Sequence, residues 1–396
     1  MTDQRAVIIG AGLAGAQCAI ALREGGWTGQ VVLVGAEPHR PYDRPPLSKD
    51  VLLGRSDSTA FDLDWDRLGV RFLLGRTATG LTGDEVLTDQ GPVGYDQLVI
   101  ATGAAPIALP GPVRVLRTVD DSLALRAELR PGLRLVLVGA GWIGAETATA
   151  ARALGCEVTV LEGAGSPLAG ALPAELTEPM ARWYAEAGVA LRLGAKVAAV
   201  GAHGVRLADG TELPADLVVV GIGARPDTRW LAGSGIELDG AGAVVVDDRL
   251  RTSLPGVWAA GDCVSYPSSR SGGRVTVQHW DHALQSGRAV AAGLLGADQP
   301  YDPVPYFWSE QFGRMVQYVG RHREGDRLLW RGSPDSPAWT ALWLRDGALS
   351  ALLTVDRPRD LAQGRRLVEK ATPVDPALVA DPEVPLKSAV GASAAG

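Results

Sequence analysis

A chain of 396 residues, 46% of them hydrophobic, exceeds what a single core normally supports, which predicts two or three domains that fold on packing alone. The net charge of −7 argues against a general nucleic-acid binder while allowing a local basic docking face, and the longest apolar runs, such as LVVVGIGA at 217–224, fall far short of the roughly 18 residues a membrane span needs. Three cysteines, Cys18, Cys156 and Cys263, lack the short spacings of zinc sites and redox disulfides, so a reduced, metal-free protein is expected.

The N-terminus runs from MTDQR straight into a strand pattern, without the basic start, long apolar segment and cleavage site of an export signal, and a cytoplasmic location is expected. AVIIGAGLAG at 6–15 reads as strand, glycine turn and Ala-rich helix. Gly10 makes the tight turn, Gly12 lets backbone approach a pyrophosphate beside Leu13 and Ala14, and Gly15 lets the helix pack close, while the helix N-terminus attracts phosphate. The next strand, VVLVGAE at 31–37, delivers Glu37 as an acceptor for an adenosine ribose. RPYDRPPLSKD at 40–50 reads as a proline-stiffened loop holding Arg44 and Lys49. YDQLVIATG at 95–103 is a buried strand closing in Ala101, Thr102 and Gly103, and the proline-rich APIALPGPV at 105–113 marks a junction.

The design then repeats. LVLVGAGWIG at 135–144 carries Gly139, Gly141, Ile143 and Gly144, EVTVLE at 157–162 supplies a second ribose acid in Glu162, and ADLVVVGIG at 215–223 closes at Gly223. A third strand-and-glycine signal, VWAAGDC at 257–263, followed by the helix pattern DHALQSGRAVAAGLL at 281–295, completes the first unit, which is therefore discontinuous. From about Val304 aromatic alternation, as in WTALWLRDGALSALLTV at 339–355, predicts a hairpin-bearing third domain whose last dozen residues fray. The expected boundaries are 1–112 and 237–304 for the first dinucleotide-binding domain, 113–236 for a second one inserted in it, and 305–396 for the C-terminal domain. The fold class is thus α/β, two Rossmann-like dinucleotide-binding domains plus a third, C-terminal domain.

Two dinucleotides in one chain imply electron transfer between them, most simply from NADH to an FAD in the first site. No lysine or arginine stands between Glu162 and Arg182 to neutralise the 2′-phosphate of NADPH, so the second site is expected to prefer NADH.

The succession GAGLAG, Glu37, RPYDRPPLSK, ATG, GAGWIG, GIGARP and VWAAGDC resembles the FAD-dependent pyridine nucleotide-disulfide oxidoreductases. RPYDRPPLSKDVLL, YFWSEQ at 306–311, DRPRDL at 356–361 and DPEVPLK at 381–387 narrow the resemblance to NADH:ferredoxin reductases of the putidaredoxin reductase and biphenyl-dioxygenase ferredoxin reductase type, over about residues 5–388. That resemblance implies an FAD-binding first domain, an NAD-binding inserted domain and a C-terminal α+β domain, and that Arg44 and Lys49 lie near the flavin, with Lys49 next to Glu146. The pair would offset the charge of the reduced flavin and gate the nicotinamide. It also implies that Asp262 hydrogen-bonds the ribityl chain, that Thr102 and Gly103 approach FAD through backbone, and that the helix beginning near Trp280 points its positive end at the flavin. The implied partner is an acidic iron–sulfur ferredoxin that serves a Rieske dioxygenase or haem-thiolate monooxygenase, docking by Arg288, Trp308 and Lys387. The basic cluster at 357–370 is either a further docking element or a solvated helix face. Two positions depart from the pattern, Gln278 where relatives often carry an acid and Ser166 where they often carry arginine. No cysteine pair or loop cysteine is present for a disulfide reductase or peroxidase; Cys18 is expected in the first glycine helix, Cys156 in the second, and Cys263 in a structural position. Rubredoxin and monodehydroascorbate reductases share most of the motifs, and apoptosis-inducing-factor-like proteins use the same fold as an NADH-responsive scaffold.

Overall fold

The computed structural model describes residues 4–391. The chain divides into two compact units, one from residues up to 43 with 58–105 and 224–303, the other from 44–57, 106–223 and 304 onward.

In the first unit five parallel strands lie in the order Val257–Ala259, Gln97–Ile100, Arg5–Ile9, Gln30–Gly35, Val70–Leu74. The central strands are near-continuous apolar runs because both faces are covered, and Val7, Ile8, Leu33 and Leu98 are fully buried. Helix Leu13–Glu24 packs against helix Trp280–Leu294 so closely that a Cβ on Gly287 would stand 2.3 Å from the Ala14 carbonyl oxygen. The edge strand and this second helix both come from the segment 224–303, so the unit is built from discontinuous stretches of chain.

The second unit holds a four-stranded parallel sheet, ordered Ala190–Arg192, Glu157–Leu161, Arg134–Val138, Leu217–Val220. It also holds a five-stranded antiparallel sheet, ordered Tyr306–Gln311, Arg314–Gly320, Ala348–Val355, Trp339–Arg345, Arg327–Arg331. Period-two alternation splits this sheet between two cores. Trp339, Ala341 and Trp343 face Leu176, Met180 and Trp183 of helix Ala174–Glu186, whereas Leu342 and Leu344 pack with Leu367 and Val368 of helix Pro358–Glu369. The expected hairpin turns at Asp346 and Gly347, whose φ values of 50° and 77° match the right-handed twist of the strands they join.

Two expectations are corrected. Cys156 lies beyond its helix, which ends at Ala153 before the left-handed Gly155, and is buried at the entry to the next strand. The last dozen residues do not fray through 391: Leu386 and Ala389 are fully buried, and Val390 bridges to Val374. The remainder of that segment, 392–396, lies outside the described residues.

Candidate functional site

The first glycine loop is built by exclusion. Gly10 has φ +114°, and a Cβ there would meet the Ala101 carbonyl oxygen at 2.0 Å, so this glycine lets the ATG segment close against the loop. A Cβ on Gly15 would meet Gly10's own carbonyl at 2.0 Å, whereas at Gly12 no atom stands within 4 Å. Helix Leu13–Glu24 begins there with no side-chain cap and no acid in its first turn, leaving its amides and positive end for an anion. Glu37 follows the adjoining strand and accepts a hydrogen bond from the Tyr42 hydroxyl at 2.5 Å. Thr102 donates to the Asp227 carbonyl at 2.7 Å, and Gly103 accepts from the Asp227 amide. Asp262 sits in the turn Gly261–Cys263, and the Trp280 indole donates to Asp43 at 2.6 Å. The structure thus brings Gly10, Gly12, Leu13, Ala14, Gly15, Ala101, Asp262 and the start of the Trp280 helix into one unit.

The second loop, in the other unit, follows the same plan. Gly139 has φ +106°, and a Cβ on Gly144 would strike its carbonyl at 2.1 Å. Ile143 is exposed at the start of helix Trp142–Ala153, and Gly223 accepts from the Ile107 amide at 3.0 Å. Glu162 is pinned by two backbone donors, Ala140 N–H and Ala164 N–H, each at 2.8 Å. Segment 192–195 is hydrogen-bonded along 162–164, through Glu162 N to Arg192 O, Gly194 N to Ala164 O and Ala195 N to Glu162 O. This lays the stem of Lys196 3.9 Å from where a Gly163 Cβ would project. The fold thus sets the stem of Lys196 beside the residue that follows Glu162, although the two are far apart in sequence.

Lys49 and Glu146 meet in this second unit as an ion pair of 2.6 Å, only 16% and 5% exposed. Ser48 donates to the same Glu146 oxygen at 2.5 Å and Ser309 to the other at 2.7 Å, while Lys49 also donates to the Pro45 carbonyl at 3.2 Å. The loop is rigid because Pro45 and Pro46 start a 3-10 turn, Pro45–Ser48, and Arg44 donates to the Arg117 carbonyl at 2.6 Å. A cavity of about 400 Å³, lined by Ser48, Lys49, Glu146, Thr149, Glu310 and Arg314 among others, opens at the pair. Sequence reasoning missed Ser48 and Ser309. Both stand inside motifs that were recognised, PPLSKD and YFWSEQ, and a hydroxyl in each was the available signal.

Of the docking candidates, Arg288 is exposed in the first unit and donates to Gln17 at 3.0 Å. Trp308, stacked on Tyr306, and the exposed Lys387 belong to the second. The basic cluster is partly absorbed by structure: Arg365 pairs with Glu369, and Arg357 joins the buried Arg331 on Asp360. All three cysteines are buried, and burial pushes the Cys18 and Cys263 thiols up to about 12.

Residues 4–287 match the family model described as pyridine nucleotide-disulphide oxidoreductase, and residues 306–390 match the model described as reductase C-terminal. The chain is 36% identical to the ferredoxin–NAD(+) reductase component of the p-cumate 2,3-dioxygenase system of Pseudomonas putida, across 96% of this chain and 97% of that one. Among solved structures it is similar to Fdr9, with 46% identity, a TM-score of 0.92 and coverage of 97% of this chain and 99% of that one. It is likewise similar to a covalent putidaredoxin reductase–putidaredoxin complex, with 32% identity, a TM-score of 0.93 and 98% coverage of both chains.

Proposed function

Because this chain belongs to the pyridine nucleotide-disulphide oxidoreductase family and carries a reductase C-terminal domain, we propose that it is an FAD-dependent NADH:ferredoxin oxidoreductase. It passes electrons from NADH to an acidic iron–sulfur ferredoxin that supplies a Rieske dioxygenase or a haem-thiolate monooxygenase. The observation that carries this reading is the doubled loop, each copy with its own acid, together with the buried Lys49–Glu146 pair.

The first loop fits FAD, since the open space at Gly12 and the uncapped helix behind it suit a pyrophosphate. Gly10, Gly12, Leu13, Ala14 and Gly15 would take the phosphates, Glu37 the ribose, and Ala101, Thr102, Gly103, Asp262 and Trp280 the remainder. When bound, FAD accepts two electrons together and releases them singly, which couples NADH to a one-electron partner. Gly139, Gly141, Ile143, Gly144, Glu162 and Gly223 take NADH. Glu146, held by Ser48, Ser309 and Lys49, is fixed in orientation, and Lys49 spends two ammonium protons on Glu146 and Pro45, keeping the third for a ligand. A cation fixed there favours the negative charge that arrives with two electrons. With every thiol buried and protonated, electrons leave without a thiol relay.

Residues 1–112 and 237–304 form the FAD domain in this reading, 113–236 the NAD domain and 305–396 the C-terminal domain. The cytoplasm is the proposed location, because NADH is supplied there and buried thiols persist reduced; among the described residues no helix is long and apolar enough to cross a membrane. The test is cytochrome c reduction. Fast NADH-dependent reduction that requires added ferredoxin supports the reading, whereas a slow, long-lived charge-transfer complex without ferredoxin turnover points to an interaction scaffold instead.

A further inference from the structure

Resting on the assignment of FAD to the first loop, we infer that His282, with Ser286, is a positioning residue that sets the Gly261–Asp262 turn against the cofactor. Gly261 has φ +79°, and a Cβ there would stand 2.9 Å from the Ala14 side chain, so the turn is wedged against the first helical turn behind the glycine loop. Gly261 is buried; its carbonyl accepts from the Val264 N–H that closes the 3-10 turn Gly261–Cys263, while its N–H needs a partner from outside the turn. Helix Trp280–Leu294 adds a side-chain partner to each group from one face, four residues apart. The Gly261 N–H donates to Ser286 Oγ at 2.9 Å, and the Gly261 carbonyl lies 3.2 Å from His282 Nε2.

Because a carbonyl can only accept, the imidazole carries its proton on Nε2. Its Nδ1 then accepts from the Tyr301 hydroxyl at 2.8 Å, while Ser286 passes its own proton to the His282 carbonyl at 2.7 Å. Tyr266 stacks on the imidazole at 5.3 Å and 11°, and Tyr301 closes the other side at a tilt. His282 and Ser286 thus each give one side-chain hydrogen bond to the same glycine, and Tyr301 fixes the imidazole that makes the first. The residue after that glycine is Asp262, the acid expected to meet the FAD ribityl chain. Removing the Nε2 donor leaves the carbonyl only the Val264 N–H within the turn, and removing the Ser286 hydroxyl leaves the buried Gly261 N–H unsatisfied, so either change loosens the turn from the helix.

The test titrates apo-protein with FAD, following quenching of flavin fluorescence and the shape of the visible absorption band, and records thermal unfolding of each apo-protein. His282→Gln restores an N–H donor near the Nε2 position and is expected to bind FAD within about threefold of wild type. His282→Asn reaches only the Nδ1 position and is expected to weaken FAD binding about tenfold, the worth of one hydrogen bond, whereas Ser286→Ala, which leaves a buried N–H unsatisfied, is expected to weaken it about tenfold to a hundredfold. Equal FAD affinity for the Gln and Asn variants, or wild-type affinity for Ser286→Ala, overturns the inference. A wild-type apo-protein that takes up no FAD overturns the functional reading and this inference together, whereas normal uptake with indifferent variants sinks the inference alone.

Discussion

Glu146 is a carboxylate almost closed off from solvent, and three side chains contribute to its stability: Ser48, Ser309 and Lys49. Deleting the lysine leaves an anion in a poorly solvated site with only hydroxyl donors, and removing one partner of a buried pair is costly, on the order of 3–5 kcal/mol where burial is complete. Lys49 is partly exposed, so a smaller loss is expected. Lys49→Ala should lower the unfolding temperature, keep FAD bound, and slow flavin reduction by NADH at least about tenfold in stopped-flow measurements; reduction at the wild-type rate would return Lys49 to a structural role. In the proposed NADH site Glu162 would repel a 2′-phosphate, and the stem of Lys196 packs beside the following residue, Gly163. Glu162→Gln alone should therefore raise kcat/KM for NADPH about tenfold without an added arginine, and Lys196→Ala in that background should take back about threefold, as an exposed charge contact allows. Unchanged NADPH kinetics in the second variant would show that Lys196 points away from the cofactor.

At the scale of an element, helix Trp280–Leu294, whose positive end is proposed to face the cofactor, also carries a buried polar face in Asp281, His282 and Ser286. Burial lowers His282 to about 4 from an ordinary 6.5, against the opposing pull of Asp262 and the Gly261 carbonyl and with His279 adding a small push in the same direction. The native imidazole is neutral, faced by Tyr266 and Tyr301, and the unfolded chain binds the extra proton. Stability from this group is therefore complete above pH 6.5 and is lost as pH falls toward 4. His279, lowered by its own burial, has the same sign. Thermal unfolding between pH 4.5 and 7 should show a shallower loss toward acid for His282→Gln than for wild type; parallel curves would mean that His282 titrates normally. The helix itself was legible, because the Ala-rich spacing of DHALQSGRAVAAGLL has one reading. Its polar face was not, since His282 and Ser286 acquire meaning only once Gly261 is set beside them.

For the whole molecule, a net charge of −7 opposes an acidic partner, so encounter depends on local positive charge. Arg288 and Lys387 are exposed on separate units and are the proposed contacts. Reversing both to glutamate should lower ferredoxin-dependent turnover about tenfold at low ionic strength and flatten its salt dependence, with NADH reduction of ferricyanide near normal; full ferredoxin turnover would rule out both contacts. The sequence by itself determined the two glycine loops, their acids and the apolar strands, because each is a local requirement. A left-handed turn pressed on a neighbouring carbonyl admits only glycine, and a strand covered on both faces must be apolar throughout. Tertiary structure alone decided which residues complete those signals. Ser48 and Ser309 reach Glu146 from 98 and 163 residues away, and the stem of Lys196 is carried beside Gly163 by the pairing of adjacent parallel strands. Parallel strands are joined by long crossovers, so chain distance carries no record of which side chains the finished sheet and its covering layers bring together.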